Sequence, residues 1–222
     1  KLPPLPIISA ISIAEALEYL YPDLKIQLKW PNDLMINNKK IGGILIEIIN
    51  NTALIGIGIN INPVKNPELI NQPITDIKTE LDKINILNLD IKSDIKSDIK
   101  SDIKFDIKFD IKKDKIIYEI IKNINKYLDK DSNQKNSNNQ EISFINTIIT
   151  KWQERDLYYK KHIKIDINNK NKIITAEHLG ISNCGGLILK IKSKEKFKEK
   201  FKEKIKNKEK IIKIHNGSIK DI

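Results

Sequence analysis

The chain encodes an α+β fold, a mixed or antiparallel sheet flanked by helices, followed by a small β domain. Three observations predict this. Residues 12–20 and 116–128 carry apolar side chains at helical spacing. Between them lie four short apolar runs, separated by turns rich in Asn, Asp and Pro. From residue 162 onward only short strand-like runs remain, punctuated by Gly and Asn.

The first helix places apolar residues at 11, 13, 14, 17 and 20, and Tyr21-Pro22 stops it. Residues 25–30 alternate, with Ile26 and Leu28 on one side, and read as a strand. Further strands are predicted at 34–36, 41–48 and 53–61, joined by Pro31-Asn32-Asp33, Asn37-Asn38 and Asn50-Asn51. Asn tolerates positive φ, so Asn37-Asn38 suits a tight hairpin. A helix over 116–128 presents Ile117, Ile120, Ile121, Ile124 and Leu128 on one face. Another follows at 142–152, with Trp152 in the core. The runs 162–167, 172–179, 187–191 and 211–214 then make the small β domain. The domain boundary falls between residues 1–159 and 160–222.

Three segments interrupt this pattern. Residues 84–113 contain Ser/Phe-Asp-Ile-Lys repeats, with isoleucine at 91, 95, 99, 103, 107 and 111. On a helix that spacing drifts around the axis, and on a strand it leaves one face wholly charged. Neither makes a good core, so a flexible or marginally ordered insertion is expected. Residues 131–141 read as a polar loop, and 192–210 as a Lys-rich insertion.

Charge and composition remove several function classes. The net charge is +11, but residues 190–210 hold 11 Lys against 4 Glu, which is +7 and leaves only +4 for the rest. A solvated tract accounts for most of the basicity, so nucleic-acid binding is not indicated. No apolar run approaches the roughly 18–20 residues of a membrane span. Pro3, Pro4, Pro6 and Glu15 break the apolar opening, which is a poor secretion signal. Because the chain begins at Lys1, a fragment or processed product is expected. The single cysteine, Cys184, permits no disulfide framework and points to a reducing compartment. His162, His178 and His215 lack metal-ligand spacing, so no metal site is expected.

The chemistry concentrates between Lys29 and Asn60. Lys29 ends a strand, and Pro31 holds Trp30 extended. Asn32 and Asp33 occupy the turn. Lys40 stands directly before Ile41-Gly42-Gly43, and Gly56 and Gly58 precede Asn60 on the next strand. Paired glycines weaken a strand, and are tolerated where a ligand or another backbone comes close. Two cations over such a floor suit an anionic ligand. The same pattern also fits solvated lysines, plain turns and bulges.

Three blocks decide between these readings. Lys29-Trp30-Pro31-Asn32-Asp33-Leu34, then Lys40 to Glu47 (KIGGILIE), then Gly56 to Asn62 (GIGININ) resemble the linked motifs of biotin protein ligases. The resemblance is strong over 11–62 and weaker over 74–81. It returns at 115–128, around Lys151-Trp152, and loosely at 211–219.

That resemblance implies a class II synthetase-like catalytic domain, truncated at its N-terminus, and a C-terminal SH3-like β-barrel. It implies that biotin's carboxylate attacks the α-phosphate of ATP, with Mg²⁺, to give biotinyl-adenylate. A lysine of a biotin carboxyl carrier domain, as in acetyl-CoA carboxylase, then takes the biotin. By residue, it implies Lys40 as the essential catalytic cation and Lys29 as a second cation toward the phosphates. Asn32 and Asp33 would position the nucleotide or its Mg²⁺. Gly42 belongs to the binding set, Gly43 and Gly56 would line the biotin pocket, and Asn60 would bond near the adenylate. Such an enzyme would sit in the cytoplasm or a plastid-type organelle, neither secreted nor bound to membrane.

The family's glycine- and arginine-rich biotin loop does not occur in the 222 residues. The chain alone is therefore expected to be inactive or nearly so, an intact protein supplying the loop. Three alternatives stay open: a lipoate-protein ligase, a non-catalytic remnant that binds a partner, and a nucleic-acid binder acting through 192–210.

Overall fold

The structure is a computed structural model and describes residues 5–93, 111–133, 138–167, 173–192 and 209–221. The repeats across 94–110 and the lysine-rich stretch 193–208 lie outside the described residues.

Helix α1 (Leu5–Leu20) begins earlier than its apolar spacing indicates, because Pro6 suits a first helical turn where its missing N–H is not needed. Ten of its residues, from Ile7 to Leu17, are buried. It is buried all round because a sheet lies on one side and two helices lie on the other. Strands β1 (Gln27–Lys29), β2 (Asp33–Ile36), β3 (Lys39–Ile49) and β4 (Thr52–Ile59) form one antiparallel sheet in that order. Both Asn-Asn turns are left-handed at both residues, with φ of 49° and 61° at Asn37-Asn38 and 48° and 62° at Asn50-Asn51. That is the geometry that matches the twist of a two-residue hairpin.

Helices α2 (Ile77–Ser93), α3 (Lys113–Asn133) and α4 (Asn138–Gln153) follow. Here the expected interruptions shrink. Helix α2 continues through 84–93, so the insertion cannot begin at 84. The polar loop expected over 131–141 is helical at 131–133 and from 138 onward, leaving only 134–137 outside the description. Side-chain polarity disfavours burial, but it does not by itself break a helix.

Helix α3 is also rotated from its expected face. It buries Ile116, Ile120 and Tyr127, whereas Ile117 and Ile121 are exposed. The cause is polar: the Tyr127 hydroxyl donates to Glu15 of α1 at 2.9 Å, and Glu15 also pairs with Lys151 of α4. In α4, Phe144, Ile148 and Trp152 face inward at a spacing of four.

The C-terminal strands β5 (His162–Ile167), β6 (Ile173–Ile181), β7 (Leu187–Lys192), β8 (Glu209–Ile214) and β9 (Gly217–Asp221) form a second antiparallel sheet in the order β8-β7-β6-β5-β9. Only His215 and Asn216 connect β8 to β9, which lie at opposite edges. Laid flat, five strands would separate those edges by about 19 Å. Three Cα–Cα steps reach at most ~11 Å. The sheet must therefore coil enough to bring the end of β8 near the start of β9.

The two sheets are not independent. The linker after α4 pairs with the edge of β1: Leu28 N–H donates to the Arg155 carbonyl at 2.7 Å, and Leu157 N–H to that of Leu28 at 2.9 Å. Beneath it, Asp156 accepts the Trp152 indole N–H at 2.9 Å and lies 2.7 Å from His178 Nε2 of β6. The Gly180 N–H donates to His178 Nδ1, so the ring carries its proton on Nε2 toward Asp156. His178 is thus a satisfied core histidine, and His162 and His215 are exposed.

Candidate active site

The first sheet has two unlike faces. Ile44, Leu34 and Gly42 point into the core against α1, while Gly43, Leu45, Gly56 and Gly58 alternate onto the other face. Cross-strand partners share a face, and pairing links Lys29 to Asp33, Asp33 to Gly43, and Gly43 to Gly58. One row across four strands therefore reads cation, carboxylate, bare backbone, bare backbone. Leu45 at 62% exposure and Leu54 at 50% border this open floor.

Lys40 joins the row through a bulge. Residues 40 and 43 are three apart, and in a regular strand they would point to opposite faces. Leu34 pairs with Gly42 but Met35 pairs with Lys40, so Ile41 is the extra residue. The bulge turns Lys40 onto the open face. Its ammonium lies 2.6 Å from the Asp33 carboxylate. A Cβ placed on Gly43 would meet that ammonium at 3.5 Å. Nothing in the spacing of apolar residues signals this bulge.

The strand segment that holds Lys40 is fixed from its other side. Lys40 N–H donates to the Pro73 carbonyl at 2.9 Å, and Thr75 N–H returns to the Lys40 carbonyl at 3.0 Å. Glu80, 1% exposed, ties this region together, accepting from Thr75, Asn37 and Lys83. Burial pushes its carboxyl up, but the hydrogen bonds from Lys83, Thr75 and Asn37 outweigh that and hold it below the ordinary glutamate value. Glu80 was not among the expected site residues, since its role depends on a chain crossing that residue type does not reveal.

The remaining expected residues divide. The Asn32 amide donates to the Ile44 carbonyl at 2.7 Å, and the Asn60 amide to the Thr75 carbonyl at 3.1 Å. Both therefore brace the frame of the site. Gly42 points away from the open face: its Cβ would lie 2.3 Å from the Gly58 carbonyl, so close strand packing requires glycine there. Gly43 and Gly56 line the floor. Lys29 lies in the row, but its ammonium leans toward the Tyr158 ring, 6.0 Å from the centroid. Lys40 and Asp33 thus form the tight centre, with Lys29 at its margin. Cys184 is exposed and makes its contact with Ser182, outside this region.

The site is thus a glycine-floored sheet bearing a fixed lysine, beside two bracing asparagines. Residues 3–62 match the model of the Biotin/lipoate A/B protein ligase family. Among curated relatives, 88 residues are 34% identical to the bifunctional ligase/repressor BirA of Bacillus subtilis, covering 37% of this chain and 26% of that protein. BirA of Escherichia coli is 41% identical over 61 residues, covering 25% of this chain and 19% of that protein. The two matches thus span only 26% and 19% of those curated relatives. The biotin protein ligase of Aquifex aeolicus in complex with biotin and ATP superposes with a TM-score of 0.64 at 22% identity, covering 100% of this chain and 73% of that one. A crystal structure of the Aquifex aeolicus ligase gives 0.63 at 23%, covering 98% and 74%. At that identity the likeness is one of fold, and it extends across both sheets.

Proposed function

We propose that the chain is the part of a biotin protein ligase that supplies the cation and the sheet floor for making biotinyl-5′-AMP from biotin and ATP. Biotin would then pass to a lysine of a biotin carboxyl carrier domain. The observation that carries this reading is the row Lys29, Asp33, Gly43, Gly58 with Lys40 held over Gly43.

The chemistry follows from that geometry. When a carboxylate oxygen attacks the α-phosphate, pyrophosphate leaves and negative charge concentrates on the reacting oxygens. A fixed ammonium stabilises that charge more than it stabilises the separated reactants. Asp33 keeps Lys40 on the floor before substrate arrives, so little reorganisation is needed. Gly43 and Gly58 let the acyl phosphate lie against backbone, and Leu45 and Leu54 offer apolar surface for an uncharged biotin bicycle. In the second step a carrier lysine amine attacks the acyl carbon of the mixed anhydride, and AMP departs. Lys29, Asn32 and Asn60 complete the proposed binding set, the asparagines by bracing the turn and the strand end.

Magnesium is a separate matter. Among the described residues no group of three or more His, Cys, Asp or Glu could hold a metal ion, and the Asp33 carboxylate is already paired with Lys40. The glycine- and arginine-rich loop is not in the 222 residues, so we place the activity in the complete protein. Among the described residues no helix is long and apolar enough to cross a membrane. With one cysteine, the cytoplasm or a plastid-type organelle is the proposed site of action.

The test is biotin-dependent pyrophosphate release by the complete protein, with lipoate as the competing substrate. Release with biotin and not with lipoate supports the proposal. Release with lipoate alone would move the chain to the lipoate branch of the family, and release with neither would favour a non-catalytic partner binder.

A further inference from the structure

The turn that carries Lys29, Asn32 and Asp33 is held from outside its own sheet. We propose that Trp30 is a positioning residue through which the C-terminal β domain sets this turn against Lys40. The proposal rests on the ligase reading above.

Trp30 is 2% exposed, and its indole N–H donates to the Gly185 carbonyl at 2.9 Å. Gly185 lies in the turn between β6 and β7, which is itself closely bonded. Ser182 N–H donates to the Gly186 carbonyl at 2.8 Å, Gly185 N–H to the Ser182 carbonyl at 2.8 Å, and Gly186 N–H to Ser182 Oγ at 3.1 Å. Gly185 has φ +77°, a left-handed conformation that few residues adopt without strain. The acceptor is therefore fixed in space before Trp30 meets it.

A second tie reaches the residue on the other side of Lys29. Leu28 exchanges both backbone hydrogen bonds with the linker at Arg155 and Leu157. Tyr158, whose ring faces the Lys29 ammonium, donates its N–H to Asp156, and Asp156 is bonded to His178 of β6. Lys29 is thus flanked by two residues, Leu28 and Trp30, that are each anchored by chain from beyond α4.

The tie is more than burial. Strand β1 has three residues at the edge of its sheet, too short to hold the following turn rigidly by itself. A phenylalanine would keep a smaller ring in the same apolar space, but only the indole N–H directs the ring toward a carbonyl and so fixes the chain path into Pro31. Losing the hydrogen bond and part of the ring lowers stability by a few kcal/mol at most, so the variant should still fold. The effect on rate is large, since a displacement of about 1 Å at a reacting group can cost on the order of 10²-fold.

The experiment compares Trp30→Phe with wild type in the complete protein. We expect kcat/KM for ATP in pyrophosphate release to fall by about tenfold or more, with KM for biotin within about twofold. Amide hydrogen exchange should accelerate at residues 32–34 and stay unchanged in β6. Ser182→Ala, which loosens the acceptor turn without touching Trp30, should give a smaller loss in the same direction. Wild-type kinetics for Trp30→Phe, or a uniform loss of every parameter with Ser182→Ala silent, would overturn the positioning role. No biotin-dependent release by the wild type would overturn the ligase reading and this role together. An unchanged variant of an active wild type would overturn the role alone.

Discussion

Asp33 and Lys40 meet at 2.6 Å across the β2–β3 bulge, and their pairing holds an ammonium over the bare backbone of Gly43. Both side chains are partly exposed, so the pair itself contributes little to stability. Its value is positional. In the complete protein, Lys40→Ala should slow adenylate formation by about 10²–10³, the cost of losing one preorganised charge-stabilising donor. Pyrophosphate release measures this, and a near-normal rate would remove Lys40 from the mechanism.

The neighbouring glycines should fail in opposite ways. A methyl on Gly42 would stand 2.3 Å from the Gly58 carbonyl, so two strands must part. Gly42→Ala should destabilise the protein by about 1–3 kcal/mol. For a chain of this size that lowers the melting midpoint by about 2–4 °C per kcal/mol. A methyl on Gly43 meets Lys40 and Asp33 at 3.4–3.6 Å, which is ordinary contact. Gly43→Ala should melt near the wild type yet bind adenylate poorly. Calorimetry on the two variants, followed by ligand titration, separates floor from frame.

That division shows what the residues alone could convey. The strands, both Asn-Asn hairpins and the clustering of Lys29, Asp33, Lys40 and the glycines were legible, because apolar alternation and turn chemistry are local. The face each residue occupies was not. One extra residue, Ile41, reverses the parity of Lys40 relative to Gly43, and a bulge leaves no mark in composition. Gly42 and Gly43 are chemically identical, and only the pairing register tells packing from floor. Asn32 and Asn60 read as ligand groups, although their amides bond carbonyls at 44 and 75, distant in sequence. Helix α3 followed the same rule, its face decided by a hydroxyl finding Glu15.

Glu80 gives the acid limb of stability a defined origin. Its carboxyl is held below the ordinary glutamate value, so the folded state binds its proton less readily than the unfolded state. The resulting stabilisation is complete above the unfolded value and is lost as pH falls through the folded one. Glu80→Gln should cost about 1–3 kcal/mol at neutral pH. That cost should shrink on acidification, as the wild type loses the same charge. Denaturant melts of both proteins across the acid range check the sign, and a gap that widens toward low pH would contradict it.

Asp156 is 1% exposed in its side chain and serves Trp152, Tyr158 and His178 at once. Removing it strands an indole N–H and an imidazole N–H in the core where the two sheets join. Asp156→Ala should therefore cost about 2–5 kcal/mol, since each of the two stranded donors costs about 1–3 kcal/mol. Because the contact lies between the sheets, the loss should also reduce cooperativity. Thermal unfolding followed by signals from each sheet should separate into two transitions in the variant and coincide in the wild type.

The lysine-rich stretch 193–208 should be dispensable, for a geometric reason. Its flanking residues, Lys192 and Glu209, are direct partners at the end of the β7–β8 pairing. The strand ends already stand side by side, so a two-residue Asn-Gly turn can join them without moving either strand. Closing a much shorter loop costs less entropy, at about 0.6 kcal/mol per halving of length. The shortened protein should be more stable by about 1–2 kcal/mol on that basis. Most of the chain's basicity resides around this stretch, so the deletion also tests whether charge serves the reaction. Denaturant unfolding and biotin-dependent pyrophosphate release should show a stability gain with an unchanged rate, and a lost rate at retained stability would give the lysines a role in catalysis or carrier binding.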